Sequence, residues 1–439
     1  MITSSNINNR VEPSATLGAG MLVNDLTMVL GTISDAKSYN QKPPIGPPTD
    51  RPTLSSEELE MLQKTAYGQL LGKDAAYSSI QLVEDDLRPV DIVMPESSTL
   101  ENKFVWSIDG SSKTLDYTAF HMLLSRAALV EYRYSKSPMD AHHEVALIDR
   151  AGVCMVDGNI FNSDIHLFGN ATKNLQNRDE VSWIEVMEDS EEPLIVSFNP
   201  ETTDKKPSSH AQGWCIKFMQ TLELMALSRL PDDKSGVVIR DGPLFTVSAT
   251  MNDTLRALNE VLHWENKMLI CSSKRISEST LFVEFLMNPQ NEKHMEYYFP
   301  DQNISRTILD KLPADYILLP KILKPGQRTP FLEAIPRSRA PITNMNPDLT
   351  PVCCYYMRKR EPHAIIRLEF PRIYLNSNPD LLDWSLRCVA WQHELGTHVP
   401  HVQEFADRQC QLKSEIEIIQ KITKSELWRK GLETLEVYE

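Results

Sequence analysis

Two aspartates stand directly after short apolar runs and directly before a glycine. Asp109 follows the run 104–108 (FVWSI), and Asp241 follows the run 237–239 (VVI) and one arginine. Carboxylates that project past strand ends can hold hard divalent cations. Two such cations about 3.5–4 Å apart activate a water for in-line attack on a phosphodiester. The pair therefore predicts a metal site. The alternative is that each Asp-Gly is a common turn dipeptide, as Asp157-Gly158 also is.

The elements that must position these aspartates follow from the apolar patterning. Strands are predicted at 104–108, 119–132 and 143–156, which form an antiparallel meander, and at 236–242, 268–272, 316–319, 352–357 and 364–370. Helices are predicted at 213–228, 252–267, 379–394 and 402–424. A meander followed by alternating helices and strands predicts an α/β fold, with a mixed β-sheet flanked by helices.

The length of 439 residues is long for a single core, so we expect one large domain with appendages. Residues 1–100 are predicted to be an N-terminal extension with helices, interrupted by a proline-rich connector at about 41–53. The main domain is predicted at 101–424 and a C-terminal tail at 425–439.

Composition excludes several classes of protein. Hydrophobic residues make up 41% and charged residues 24%, which is typical of globular chains. No apolar stretch is long enough to span a membrane, and the N-terminus lacks a secretory pattern, so a cytoplasmic location is expected. The seven cysteines are scattered without a C-x-x-C pair, and most of them are predicted to be buried thiols. The net charge of −15 argues against a protein that coats DNA non-specifically.

A set of ordered motifs resembles the NurA nuclease family over roughly residues 100–420. The motifs, in chain order, are IDGS at 108–111, IRDGPL at 239–244, SKR at 273–275, IRLEFP at 366–371, and a proline segment that leads into a helix at 399–407. The resemblance implies a ribonuclease-H-like fold and manganese-dependent degradation of DNA. It also implies a homodimer that docks on the hexameric translocase HerA.

The resemblance also implies the site residues. The family's two aspartates correspond to Asp109 and Asp241, and its intervening glutamate corresponds to Glu223, the acid of the predicted 213–228 helix. A tyrosine and a histidine end the family pattern, and here Val399 and Asp407 take those places. These four acids are predicted to be the catalytic residues and to hold Mn²⁺ or Mg²⁺ as two ions. His398 and His401 lie close enough in sequence to substitute for Asp407, and Glu223 and Asp407 have the alternative of being solvated helix residues.

A basic stretch provides the predicted DNA contacts. Between residues 321 and 372 the chain has ten basic residues against four acidic ones. Phosphate backbones attract such stretches, and aromatic side chains there can stack on bases. The predicted DNA-binding residues are Lys274, Arg275, Arg358, Lys359, Arg360 and Arg367, with Tyr355, Tyr356 and Phe331 as stacking surfaces. The alternatives are an ordinary surface and ion pairs inside the fold, such as Arg367 with Glu369.

These observations predict a metal-dependent DNA nuclease that acts with a HerA-type ATPase in DNA end processing or anti-phage defence. A different class of function stays open, because the family's tyrosine and histidine are missing. In that alternative the chain is a catalytically weakened docking subunit of the translocase complex. A third hypothesis is an unrelated globular protein with chance Asp-Gly turns, which requires that Asp109 and Asp241 lie apart in the sheet.

Overall fold

The computed structural model describes most of residues 77–429. The segments it leaves out within that range are 85–86, 102, 118–119, 135–141, 156–165, 168–181, 185–186, 188–193, 198–206, 247–248, 274–278, 289–290, 292–293, 295–296, 299–314, 337–339 and 361–363. The predicted helices and proline-rich connector before residue 77, the Asp157-Gly158 pair and the tail from 430 onward therefore lie outside the described residues.

One large mixed sheet organises the described chain. Its strands are β1 (Tyr77–Leu82), β2 (Val90–Asp91), β3 (Phe104–Asp116), β4 (Phe120–Arg133), β5 (His142–Met155), β6 (His166–Leu167), β7 (Leu194–Ser197), β8 (Gly236–Asp241), β9 (Lys267–Ser273), β10 (Gln327–Arg328), β11 (Leu332–Pro336), β12 (Pro351–Met357) and β13 (Ile365–Pro371). The main strand order is β1-β11-β12-β13-β9-β8-β3-β4-β5-β7-β6. The predicted mixed α/β class is confirmed.

Helices lie against this sheet. They are α1 (Ser97–Leu100), α2 (Pro207–Leu227), α3 (Met251–Leu262), α4 (Leu281–Met287), α5 (Asp315–Ile322), α6 (Ala340–Met345), α7 (Tyr374–Ser377), α8 (Pro379–Leu395), α9 (His401–Cys410) and α10 (Lys413–Arg429). None of the described helices is long and apolar enough to cross a bilayer.

The centre of the sheet combines antiparallel and parallel strand pairing, and both were predicted. β3, β4 and β5 form the antiparallel meander, while β3, β8 and β9 are paired in parallel. Parallel neighbours need a crossover connection, and α3 supplies it between β8 and β9. The side chain of Thr250 begins that helix by accepting a hydrogen bond from the backbone N–H of Asp253 at 3.1 Å.

Two hydrophobic clusters use opposite faces of β12. The larger cluster includes Val352, Cys354 and Tyr356, and the smaller one includes Cys353 and Tyr355. This division follows from the alternation of side chains along a strand. All seven cysteines are buried free thiols, as the sequence predicted.

Three sequence predictions of secondary structure differ from the structure. The segment 316–319 is not a strand but part of α5, because a short apolar run shows no period that separates strand from buried helix. The predicted helix at 402–424 is two helices, α9 and α10, with a break at residues 411–412. Within the predicted N-terminal extension, β1 and β2 belong to the main sheet, since β1 pairs with β11 and β2 with β10.

Candidate active site

Asp109 and Asp241 lie side by side on neighbouring parallel strands. The last register pair of β3 and β8 is Ile108 with Arg240, so the next residues on each strand are the two aspartates. Asp241 is the last residue of β8, as predicted, but Asp109 is not at a strand end. β3 continues to Asp116 because its antiparallel pairing with β4 extends beyond the end of β8. The third hypothesis required the two aspartates to be separated, and they are not.

Glu223 reaches the same region from α2. Its carboxylate lies over Gly110, so closely that a Cβ on this glycine would stand 2.4 Å from Oε1 of Glu223. Any other residue at position 110 would therefore collide with the glutamate. The backbone N–H of Gly110 also donates to Oδ1 of Asp109 at 2.8 Å. The glycine thus allows the approach of Glu223 and orients Asp109, and neither role requires the turn that the sequence suggested.

Burial and charge act together on Glu223. The side chain is almost completely buried. Burial, with a smaller contribution from the negative charge of Asp241, raises the pKa of Glu223 to about 7, against the opposing effect of Arg240. Removal from water disfavours the charged form of an acid, and a like charge nearby does the same. Glu223 is therefore within electrostatic reach of Asp241, and it is not the solvated helix residue of the alternative hypothesis.

The turn that follows Asp241 is held by buried charged side chains. Gly242 has a φ of +89°, in the left-handed region that favours glycine. Arg240 is fully buried and donates from Nη2 to the backbone carbonyls of Pro243 and Leu244. The backbone N–H of Leu244 donates to Oε2 of Glu369 at 2.8 Å. Contacts on both sides of the turn therefore fix the direction in which β8 ends.

Helix α9 brings a further polar group to Asp241. Nε2 of Gln403 donates to Oδ1 of Asp241 at 2.5 Å and to the backbone carbonyl of Ser272 at 3.3 Å. Asp407 lies one turn further along α9 and is partly buried. The pKa of Cys410, at the end of this helix, is raised by burial and then by the charges of Asp109, Asp407 and Glu223. All four predicted acids therefore lie in one region, around α9 and the end of β8.

The donor atoms in this region suit a hard cation. Among the described residues, no three His, Cys, Asp or Glu side chains stand together as a ready ligand set. Carboxylate oxygens are nevertheless the ligands that Mn²⁺ and Mg²⁺ prefer, and the ionised form of Glu223, which burial and then the charge of Asp241 disfavour, is the form that a cation would stabilise. Oε1 of Gln403 is a buried oxygen for which no donor is found among the described residues. These features fit a divalent cation held by Asp109, Asp241 and Glu223.

The structure separates the predicted DNA-binding residues into three groups. Lys274 and Arg275 lie outside the described residues. Lys359 and Arg360 are exposed. Arg358 and Arg367 are largely inside the fold.

Internal partners account for the two inward arginines. Nη2 of Arg367 pairs with Oε1 of Glu369 at 2.7 Å, and Nη2 of Arg358 donates to the backbone carbonyl of Glu394 at 3.0 Å. The structure thus favours the internal ion pair for Arg367, which the sequence left as an alternative. It also gives Arg358 an internal role in place of a solvent-facing one.

The predicted stacking surfaces are buried. Tyr355 and Tyr356 have no exposed surface, and Phe331 is 7% exposed. They lie inside the two hydrophobic clusters because β12 is covered on both faces. This part of the prediction is wrong for the described structure. His398 is exposed, and Gln403 of α9 contacts Asp241.

Sequence reasoning missed three residues of this site. Gln403 belongs to no metal-ligand pattern, and only its position four residues before Asp407 places it on the same helix face. Arg240 directly precedes Asp241, but a buried arginine is not expected from a strand sequence. Gly110 was interpreted as a turn residue. A glycine inside a strand pattern also signals a close approach of another group, which is what the structure shows.

Comparisons with known proteins support one family. The model of the NurA domain matches residues 84–410. No curated protein matches the chain. Among solved structures, the NurA nuclease from Sulfolobus solfataricus is 11% identical, with a TM-score of 0.40, and the match covers 86% of this chain and 98% of that one.

Two further structures are similar at the same level. A NurA structure with manganese is 8% identical, with a TM-score of 0.32 and coverage of 83% of this chain and 97% of that one. A NurA structure bound to dAMP and manganese is 9% identical, with a TM-score of 0.31 and coverage of 82% and 94%. These overall similarities are low, so the assignment rests on the family match, which spans well over half of the chain. The chain belongs to the NurA domain family, a family of nucleases.

Proposed function

We propose that this protein is a metal-dependent DNA nuclease that hydrolyses phosphodiester bonds. The observation that carries the proposal is the alignment of Asp109 and Asp241 on parallel strands, with the carboxylate of Glu223 against Gly110 between helix and sheet. Membership in the NurA domain family supports the same reaction class. The proposed cofactor is Mn²⁺ or Mg²⁺, bound as two ions.

The residues of the chain have distinct roles in this proposal. Asp109 is fixed within a continuous strand and by the N–H of Gly110, so its carboxylate has a set direction. Asp241 is oriented by Gln403 and by the turn that Arg240 and Glu369 hold. When bound, a divalent cation supplies activation of water and stabilisation of the leaving oxygen. Asp407 is proposed as the ligand from α9.

The proposed partners follow from the family. We propose that the protein acts on DNA as a homodimer together with a HerA-type hexameric ATPase, in DNA end processing or anti-phage defence. The exposed Lys359 and Arg360 are proposed to contact the phosphate backbone, together with Lys274 and Arg275.

A second candidate function is a catalytically weakened subunit that docks on the translocase. The observation that favours it is the loss of the family's tyrosine and histidine, whose places are taken here by Val399 and Asp407. This candidate shares the fold and the partner with the first. It differs only in whether the acids support turnover.

The decisive experiment is cleavage of linear DNA with Mn²⁺ by the full-length protein, alone and with its translocase. We expect degradation by the wild type and none by Asp241→Asn, because the amide removes a charged ligand. The matched control is Asp380→Asn, which makes the same change at an exposed site in the first turn of α8 and is expected to leave cleavage unchanged.

Two outcomes would contradict the proposal in different ways. Equal cleavage by Asp241→Asn and wild type would place the reaction outside this site. No cleavage by the wild type, with either metal and with the translocase bound, would support the docking subunit.

A further inference from the structure

Gln403 has an environment that packing alone does not explain. Its side chain has no exposed surface, yet it lies on α9 against the end of β8, where the candidate acids converge. A buried amide needs partners for both of its ends, because an unsatisfied buried polar group is destabilising. The NH₂ end of the Gln403 amide has two acceptors, whereas no donor for its oxygen is found among the described residues.

The orientation of the amide follows from chemistry. Two groups face Nε2 of Gln403, the carboxylate of Asp241 and the backbone carbonyl of Ser272, and an ionised carboxylate and a carbonyl only accept hydrogen bonds. The NH₂ group must therefore point at Asp241. The amide oxygen is turned away from these acceptors, and no donor for it is found among the described residues.

The short contact restricts the carboxylate of Asp241. A hydrogen bond to an ionised carboxylate is charge-assisted and stronger than a bond between two neutral groups. The second bond, to the backbone of β9, ties the amide to the sheet at the residue that pairs with Asp241. Gln403 thus holds one oxygen of Asp241 in a direction fixed by helix and sheet together.

From this geometry we infer that Gln403 is a positioning residue of the metal site. Through its Nε2 it orients the carboxylate of Asp241 for the cation. The inference rests on the proposed function, and it assigns to Gln403 a role that was predicted for no residue from the sequence. Positioning groups behind metal ligands typically contribute about 10–100-fold to metal affinity.

The test is Mn²⁺ binding by the full-length protein without DNA, measured by electron paramagnetic resonance of free Mn²⁺. Gln403→Met removes the amide at similar volume, and we expect binding about 10–100-fold weaker than that of the wild type.

The matched control is Gln392→Met. Gln392 is also fully buried, and its Oε1 accepts from the N–H of Val402 at 3.1 Å, so it anchors the same helix without contacting Asp241. Both variants are expected to lower the melting temperature, but only Gln403→Met is expected to weaken Mn²⁺ binding. A purely structural role of Gln403 would not produce this difference.

A second variant keeps the shape of the side chain. Gln403→Glu replaces the donor with a carboxylate that faces Asp241, so the metal-free protein should melt at a lower temperature. Mn²⁺ should then raise the melting temperature by more than it does for the wild type, because the cation relieves the repulsion between the two acids.

Each outcome has one meaning. Wild-type affinity in Gln403→Met, equal weakening in Gln392→Met, or an unchanged Mn²⁺-induced shift in Gln403→Glu would overturn the role of Gln403 and leave the proposed nuclease intact. Absence of both Mn²⁺ binding and cleavage in the wild type would overturn the proposed function and this inference with it.

Discussion

At the scale of single residues, Gly110 sets the distance between α2 and the sheet at the candidate site. A Cβ there would lie 2.4 Å from Oε1 of Glu223 and 2.6 Å from Cγ of Met219. Both distances are far below van der Waals contact, so a larger residue must displace the glutamate. We expect Gly110→Ala to reduce the rate of Mn²⁺-dependent DNA cleavage by about 100-fold, the typical effect of misplacing a reacting group by about 1 Å.

The control for this prediction is Gly213→Ala on α2, the helix that carries Glu223. Gly213 is exposed, and nothing lies within 4 Å of a Cβ built on it. The substitution is expected to stabilise the helix by about 0.5–1 kcal/mol and to leave the cleavage rate unchanged. Similar rates for Gly110→Ala and wild type would show that Glu223 is not needed in its observed position.

The proximity of Asp109 and Asp241 could be predicted from sequence, whereas the contacts of Gln403 could not. Parallel strands joined by a helix have a known direction, so their carboxyl ends meet at one edge. The register between them, and the extension of β3 past Asp109, depend on pairing with β4, which local patterns do not reveal. The position of Gln403 depends on how α9 docks on the sheet, and that is set by packing of the whole chain.

At the scale of elements, His393 near the end of α8 contacts the backbone of the residue that precedes β13. Nε2 of His393 lies 3.4 Å from the backbone carbonyl of Ala364, and the ring has no exposed surface. Burial lowers the pKa of His393 to about 4 from its ordinary 6.5, with Arg358 lowering it and Glu394 raising it as neighbouring charges. Between pH 4 and pH 6.5, His393 is therefore neutral in the folded protein, whereas the same histidine is protonated in the unfolded chain.

The sign of the pH dependence follows from this difference. Below pH 6.5 the unfolded state binds a proton that the folded state does not, so stability falls as pH decreases towards 4 and is fully present above 6.5. The full loss is on the order of 3 kcal/mol. We expect His393→Gln to flatten this part of the curve of unfolding free energy against pH, measured by urea denaturation. His398→Gln, a change at an exposed histidine nearby, should keep the wild-type slope, and an unaltered slope in His393→Gln would contradict the assignment.

The residues at which strands begin and end show which sequence signals are sufficient to predict a strand. The predicted strands at 352–357 and 364–370 match β12 and β13 to within one residue, because apolar runs bounded by turn residues mark them clearly. The strand β1 was missed, since YSSIQL has weak alternation and gains its stability from pairing with β11. Edge strands of this kind depend on a distant partner.

At the scale of the whole molecule, β12 contributes side chains to both hydrophobic clusters. Phe282 is fully buried in the smaller cluster and packs edge-on against Tyr355 at a centroid distance of 6.5 Å. The next residue on β12, Tyr356, belongs to the larger cluster. Loss of packing on one face therefore weakens the strand that supports the other face.

We expect Phe282→Ala to destabilise the protein by about 3–5 kcal/mol, the usual effect of removing a buried phenylalanine. Calorimetry should show a single unfolding transition at a lower temperature, not a separate early transition. Tyr316→Ala, at a half-exposed aromatic on α5, is the control and should shift the transition much less. Two transitions, of which only one moves, would show that the clusters unfold independently.

The unequal lengths of β3 and β8 have a consequence for how the candidate site opens. Asp109 lies inside a strand that is hydrogen-bonded on both of its sides up to that point, whereas Asp241 ends its strand and leads into a turn. Backbone amides around Asp109 should therefore exchange with deuterium only when the sheet itself opens, while the N–H groups of Gly242 and Leu244, which are hydrogen-bonded to Ser272 and Glu369, should exchange when the contacts of the turn open. Both walls of the site are then ordered before any ligand arrives, one by strand pairing and the other by the buried contacts of a turn.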